Sequence, residues 1–240
     1  MNISFTAEKL LASNFTNSLL TSVVATLVIL LLAFLAVRSI RPVPGKHQNI
    51  AEWIVEMLMG LTEGITGSRE KAMKILPLGA TFFIFILVNN WLGLFPGVGS
   101  IGFHETVHGK ELFIPLLRAG NADLNTTLAL ALVSVGATQY YGVSTLRLSY
   151  FKKFINFSNP INAFVGVLET ISEFAKVISF SFRLFGNVFA GEVLLSVITG
   201  LLPFIAPLPF YGLEIFVGLV QALVFAMLSM VFFHVAMQRH

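Results

Sequence analysis

The 240-residue chain is 56% hydrophobic and only 11% charged, with a mean hydropathy of +0.84, which excludes an ordinary soluble globular domain. Its formal net charge of +3 is too small an excess of Lys and Arg to call for a nucleic-acid partner. Cysteine is absent, so disulfides and thiolate metal sites are excluded as well.

The first eighteen residues are polar and mixed in charge and do not read as a cleavable signal peptide. The apolar run at 19–37 has roughly the 20 residues that a bilayer crossing requires. It stops at Arg38, Arg41, Pro42, Pro44 and Lys46. The stretch 48–66 differs in kind. Ile50, Trp53, Ile54, Met57, Leu58, Leu61 and Ile65 recur at helical spacing, with Glu52, Glu56 and Glu63 elsewhere around the wheel. That pattern predicts an amphipathic helix lying along the membrane interface. Further crossings are predicted at 75–95, closed by Pro96-Gly97, and at 124–143, before long apolar stretches at 160–202 and 210–238. The expected fold is an all-α integral membrane protein, one polytopic domain over 1–240. It has about five membrane-crossing helices and one interfacial amphipathic helix, with the last two crossings long and tilted as a hairpin.

Basic residues predict the orientation. Arg38, Arg41, Lys46, Arg69, Lys71 and Lys74 follow the first crossing, Arg147, Lys152 and Lys153 lie at 145–159, and Arg239 is in the tail. The opposite side holds Lys9, Lys110 and Arg118. The positive-inside bias therefore puts the N-terminus outside and the C-terminus in the cytoplasm.

As one helix, the 160–202 stretch would reach ~65 Å, about twice a ~30 Å hydrocarbon core, so it must tilt, bend or run partly in the membrane plane. Glu169, Glu173, Lys176, Arg183 and Asn187 recur along it at steps of four, three, seven and four, which is one helical face. Ser172 and Ser179 lie beside that face. Glu192 falls nine residues after Arg183, about half a turn away, and points elsewhere. The final helix carries a thinner stripe of Glu214, Gly218 and Gln221.

Ionisable side chains inside hydrophobic helices mark, by default, an ion or proton pathway. The competing reading is a set of internal salt bridges, open to Glu169, Glu173 and Lys176 at three- and seven-residue separations. Arg183 is different. A guanidinium does not shed its proton, and placing one at membrane depth costs roughly 3 kcal/mol on insertion scales. Its nearest neighbours, Ser179, Phe180, Leu184, Gly186 and Asn187, include no carboxylate. Its counter-charge is expected on another chain.

A second motif suggests different chemistry. His104-Glu105-Thr106-Val107-His108 fits H-E-x-x-H, which on a helix presents two zinc-binding imidazoles and a glutamate base, the pattern of a membrane zinc protease. The motif is flanked by Gly102 and Gly109, with no third ligand at a persuasive spacing, although Glu111 and Asp123 are nearby. An unrelated ion-coupled transporter would show internal repeats, and none is visible.

The run Ser181-Phe182-Arg183-Leu184-Phe185-Gly186-Asn187-Val188-Phe189-Ala190-Gly191-Glu192 resembles the signature of subunit a of the F-type ATP synthase. Leu168-Glu169-Thr170-Ile171-Ser172-Glu173-Phe174 precedes it at the family's spacing, and Gln221-Ala222-Leu223-Val224-Phe225 is similar to its last helix. Asn89-Asn90-Trp91-Leu92-Gly93-Leu94-Phe95-Pro96 and Ala122-Asp123-Leu124-Asn125-Thr126-Thr127 look like the end of its second crossing and the start of its third. The likeness spans roughly residues 20–238.

This resemblance implies a stator subunit of the membrane motor, beside a rotating ring of c subunits that each carry one membrane-embedded carboxylate. Arg183 matches the family's essential arginine, standing between two half-channels. Glu169, Glu173 and Lys176 would lie on the cytoplasmic side of it, and Glu192 and Glu214 at the outer entrance. Two carboxyls so close should share a proton. Similar proteins often carry histidine at the Glu214 position, and this chain departs from that form. Gln221 would sit near the depth of Arg183, and Asn187 would hydrogen-bond to it or to channel water. The implied partners are the c-ring, b-type peripheral stalk subunits, the whole F1Fo complex and membrane lipid. The implied location is the inner (plasma) membrane of a bacterium. The expected ion is H+, with Na+ as the alternative because the ring makes that choice. No catalytic site of its own, no cofactor and no metal are expected.

Overall fold

The structure, a computed structural model, describes residues 16–38, 40, 45–95, 97–98, 101–107, 110–154, 159–202 and 205–238. Its α-helices are α1 (Asn17–Arg38), α2 (Lys46–Thr66), α3 (Arg69–Gly93), α4 (Leu124–Leu146), α5 (Pro160–Leu201) and α6 (Pro207–Ala236). Between α3 and α4 lie strands β1 (Gly102–Val107) and β2 (Lys110–Pro115) and a 3-10 turn at Gly120–Ala122. A longer 3-10 segment, Arg147–Lys153, follows α4. The chain is an all-α membrane protein with one small antiparallel β-hairpin in a connection.

The hairpin marks one end of the bundle, called here the hairpin end. Asn17 at the start of α1 donates to the Pro115 carbonyl of β2, and Ser18 donates to Asp123 at 2.8 Å. Asp123 in turn caps α4 by accepting from the Asn125 N–H. The opposite end carries α2, the start of α3 and the Arg147–Lys153 segment, where the Tyr141 hydroxyl donates to the Lys74 carbonyl.

α1, α3, α5 and α6 are long and apolar enough to cross a membrane. α4 has the length, at 23 residues, but not the hydropathy. Its polar groups turn inward, however: Thr127, Ser134 and Thr138 are buried, while Leu128, Leu132 and Val133 are exposed. Thr127 bonds Ser181 of α5 at 3.2 Å, and Ser134 bonds Ser229 of α6 at 2.7 Å. Hydroxyl pairs of this kind join helices where lipid tails supply no hydrophobic drive.

α2 packs its buried Leu58 and Thr62 against α3 and α6, and Thr62 donates to the Leu58 carbonyl and to the Met230 sulfur. Of the expected apolar stripe, Leu58 is buried while Ile50 and Trp53 are exposed, and Thr62 and Thr66 satisfy their hydroxyls on the helix itself. The helix ends at Gly67, whose φ of 64° is the left-handed conformation that closes many helices. α3 starts at Arg69 rather than at 75, its charged first turns held by a Glu70–Lys74 pair at 3.0 Å.

The core lies where α3, α5 and α6 meet, with Phe82, Phe180, Phe225, Leu184, Met230 and Phe233 buried together. Phe225 meets Phe82 edge-on at 5.4 Å and Phe180 at 5.0 Å between ring centroids. α5 is one unbroken helix of 42 residues, about 63 Å long at ~1.5 Å per residue. One stripe, through Glu173, Phe180, Ser181, Leu184, Phe185, Gly191 and Leu195, is buried, and the other side presents Ile171, Phe174, Ile178 and Phe182 outward.

Candidate functional site

Arg183 lies on the open side of α5. Phe180, Ser181, Leu184 and Phe185 around it turn inward and lock the helix against α4 and α6, while Ser179, Phe182 and Arg183 remain exposed. Its Nη2 donates to Ser179 Oγ at 3.4 Å, a long bond to a neutral partner one turn back. Among the described residues no carboxylate forms an ion pair with it. Gly186, one turn on, leaves the surface beside it open, since a Cβ there would meet nothing within 4 Å. Asn187 and Gln221 are half-buried, and no hydrogen bond joins either to Arg183.

Towards the hairpin end, α5 and α6 enclose a cavity of ≈ 520 Å³ together with the end of α3 and the residues after β2. Glu192, Glu214, Arg118, Asn90, Ser196 and Tyr211 line it. The half-turn offset between Arg183 and Glu192 therefore carries Glu192 off the open face and into this space. There Glu192 is held by Arg118, whose Nε donates to Oε1 and Oε2 at 3.1 and 3.2 Å and whose Nη2 donates to Oε2 at 3.1 Å. Glu214 lines the same cavity but has no ion-pair partner among the described residues. Its carboxylate lies against Gly191, close enough that any Cβ on residue 191 would collide with it. Gly218, a turn further along α6, is buried under Asn90, which donates to the Gly218 carbonyl at 3.0 Å.

At the opposite end the carboxylates of α5 are tied up. Lys176 bonds Glu173 at 2.9 Å, as the three-residue spacing allows, whereas Glu169 pairs with Lys153 at 3.3 Å. Lys153 also reaches Glu173 at 3.4 Å and lies over the rings of Tyr150 and Phe154. Burial works to lower the Lys153 ammonium, but Tyr150, Glu173 and Glu169 outweigh it and hold it above its ordinary 10.5. Glu173 Oε2 is buried without a hydrogen-bond partner among the described residues.

Of the H-E-x-x-H motif, residues 104–107 lie in strand β1 rather than on a helix. His108 lies outside the described residues.

A family model described as the ATP synthase A chain matches residues 19–234. The chain belongs to that family. It is therefore a subunit of the membrane sector, Fo, of ATP synthase, in its stator. For an ATP synthase A chain, the residue that sequence reasoning missed is Arg118, which had entered only as one basic residue of a connection. The available signal was weak: it is a cation five residues before the Asp123 cap, in a region with few charges. Only the fold reveals that its side chain is 6% exposed and set against Glu192 of α5.

Proposed function

We propose that this ATP synthase A chain is the H+-translocating stator that exchanges protons with the carboxylates of a c-ring through two half-channels. The carrying observation is the exposed Arg183, a permanent cation on a membrane-depth helix whose bonded neighbour among the described residues is a serine. A charge in that setting calls for an anion from outside the chain. Each ring carboxylate arriving at Arg183 is favoured in its ionised form and gives up its proton. The cation also bars a proton from passing without a turn of the ring.

The cavity lined by Glu192, Glu214, Asn90 and Ser196 serves as the half-channel of the hairpin end, with Gln221 and Asn187 on the route inward. Glu169, Glu173 and Lys176 flank the half-channel of the opposite end, where their ion pairs give them a structural share as well. α4 is the fifth crossing, its apolar side to lipid. The basic residues of the opposite end put it in the cytoplasm and the N-terminus outside, in a bacterial plasma membrane. The b-type peripheral stalk subunits hold the chain against rotation.

The test is gradient-driven ATP synthesis in vesicles. Arg183→Ala abolishes it while the assembled complex still hydrolyses ATP in detergent. Arg183→Lys also fails, because lysine is a point charge that can lose its proton when desolvated. Synthesis at near-normal rates by either variant would overturn the reading.

A further inference from the structure

Glu192 and Glu214 line one cavity, yet their surroundings differ. Arg118 grips both oxygens of Glu192 through Nε and Nη2, at 3.1 to 3.2 Å. Arg118 is itself pinned from α1, where Thr21 Oγ1 accepts its backbone N–H at 3.1 Å, and its side chain is only 6% exposed. The Glu192 side chain, 33% exposed, opens into the cavity. The charged and titratable groups lining the cavity among the described residues are Arg118, Glu192, Glu214 and Tyr211, and α3 contributes Asn90 without a charge.

We propose that Arg118 fixes Glu192 as a standing carboxylate, so that Glu214 is the group that takes up and passes on the moving proton at the hairpin end. The inference rests on the stator reading above and assigns parts within its cavity. A buried guanidinium without an anion is costly, and the Glu192 carboxylate stands 3.1 Å from the guanidinium of Arg118. A bidentate contact fixes the orientation of the carboxylate as well as its charge. Among the described residues Glu214 has no such partner, and it lines the same cavity. Arg118 is thus a positioning residue, acting on the proton path through Glu192.

The experiment uses the assembled complex in sealed vesicles. ATP synthesis is followed against the pH of the compartment facing the hairpin end. Arg118→Gln should lower the rate roughly tenfold or more, since removing one partner of a desolvated pair leaves the other charge uncompensated. It should also move the acid limb of the pH profile, because the guanidinium facing Glu192 is gone. Arg118→Gln combined with Glu192→Gln should return the profile towards its original shape and raise the rate above that of Arg118→Gln alone. Arg118→Lys, which keeps the charge but not the two-pronged grip, should retain more of the rate than Arg118→Gln, and Glu214→Gln should lose it. Three results would overturn the proposal: an unchanged rate and profile in Arg118→Gln, a loss equal at every pH with no recovery in the double variant, or sustained synthesis by Glu214→Gln. Failure of both Arg118→Gln and the double variant to assemble would also overturn it, by making the role purely structural. Arg183→Ala is run in parallel: if it still makes ATP, the stator reading itself fails, whatever Arg118 does.

Discussion

The Glu214 carboxylate of α6 lies against Gly191 of α5, in space that any side chain on residue 191 would fill. The contact is where the two long helices come together on one wall of the cavity, and glycine allows an acid to sit there between packed backbones. Gly191→Val should therefore displace Glu214 and cut gradient-driven synthesis sharply. Gly191→Val with Glu214→Ala should assemble better than Gly191→Val alone, because the collision is gone, yet remain inactive for want of the acid. Complex yield and synthesis rate, measured side by side, check both halves. Equal yields for the two variants would mean that the contact does not limit assembly.

The exposed side of Arg183 is testable by crosslinking in this cysteine-free background. Cysteines at Ser179 and Gly186, both on the open side, should crosslink to cysteines flanking the carboxylate of the proposed c-ring, since a disulfide needs Cα atoms within ~7 Å. Phe182 and Ala190 are exposed and should give products too. Gly218 should not, although its spacing on the last helix suggests it, because the fold buries it beneath Asn90. Leu20 in α1 serves as the negative control. Products from Leu20 and Gly218 but not from Ser179 and Gly186 would place the ring elsewhere.

The opposite-end carboxylates should report mainly on stability. Lys153 anchors Glu169 and Glu173 and is raised above its ordinary 10.5 by Tyr150 and those carboxylates despite its burial. A raised folded-state value means that its contribution is fully present below pH 10.5 and is lost as pH climbs through the folded value. Thermal unfolding of the purified subunit should accordingly depend on Lys153 at neutral pH and not at strongly alkaline pH. Lys153→Met should lower the melting temperature at pH 7 and narrow its gap to wild type above about pH 11. Glu169→Gln and Glu173→Gln should reduce synthesis less than Glu214→Gln does. A loss of synthesis in Glu173→Gln as deep as that of Glu214→Gln, at unchanged stability, would make Glu173 a channel residue first.

A polar layer holds the hairpin end together. Asn121 donates to Asn90 at 2.8 Å and to the Ile86 carbonyl at 3.3 Å, and Asn90 passes the chain on to Gly218. Asn121→Leu should cost about 1–2 kcal/mol of stability, the scale of hydrogen bonds between membrane helices. It should also loosen the wall of the cavity, so passive proton leak through the membrane sector is the second measurement. A variant as stable and as tight as wild type would show the layer to be dispensable.

The order of helices, the length of α5 and the exceptional character of Arg183 were legible from sequence because each rests on local properties. Hydropathy over twenty residues and the 3.6-residue period survive without knowledge of the fold, and a cation with no carboxylate on its own turn is visible from spacing alone. The Glu173–Lys176 pair was accessible for the same reason, being three residues apart on one helix. Pairings across the chain were not. Arg118 and Glu192 are 74 residues apart, and Lys153 reaches Glu169 from a different segment. The inward turn of the α4 hydroxyls was likewise hidden, because it depends on Ser181 and Ser229 standing opposite. Sequence determined which side chains are charged and on which helical face they stand. Only the tertiary structure decided which of those charges meet, because an ion pair depends on distances of a few ångströms between segments whose separation along the chain says nothing about their separation in space.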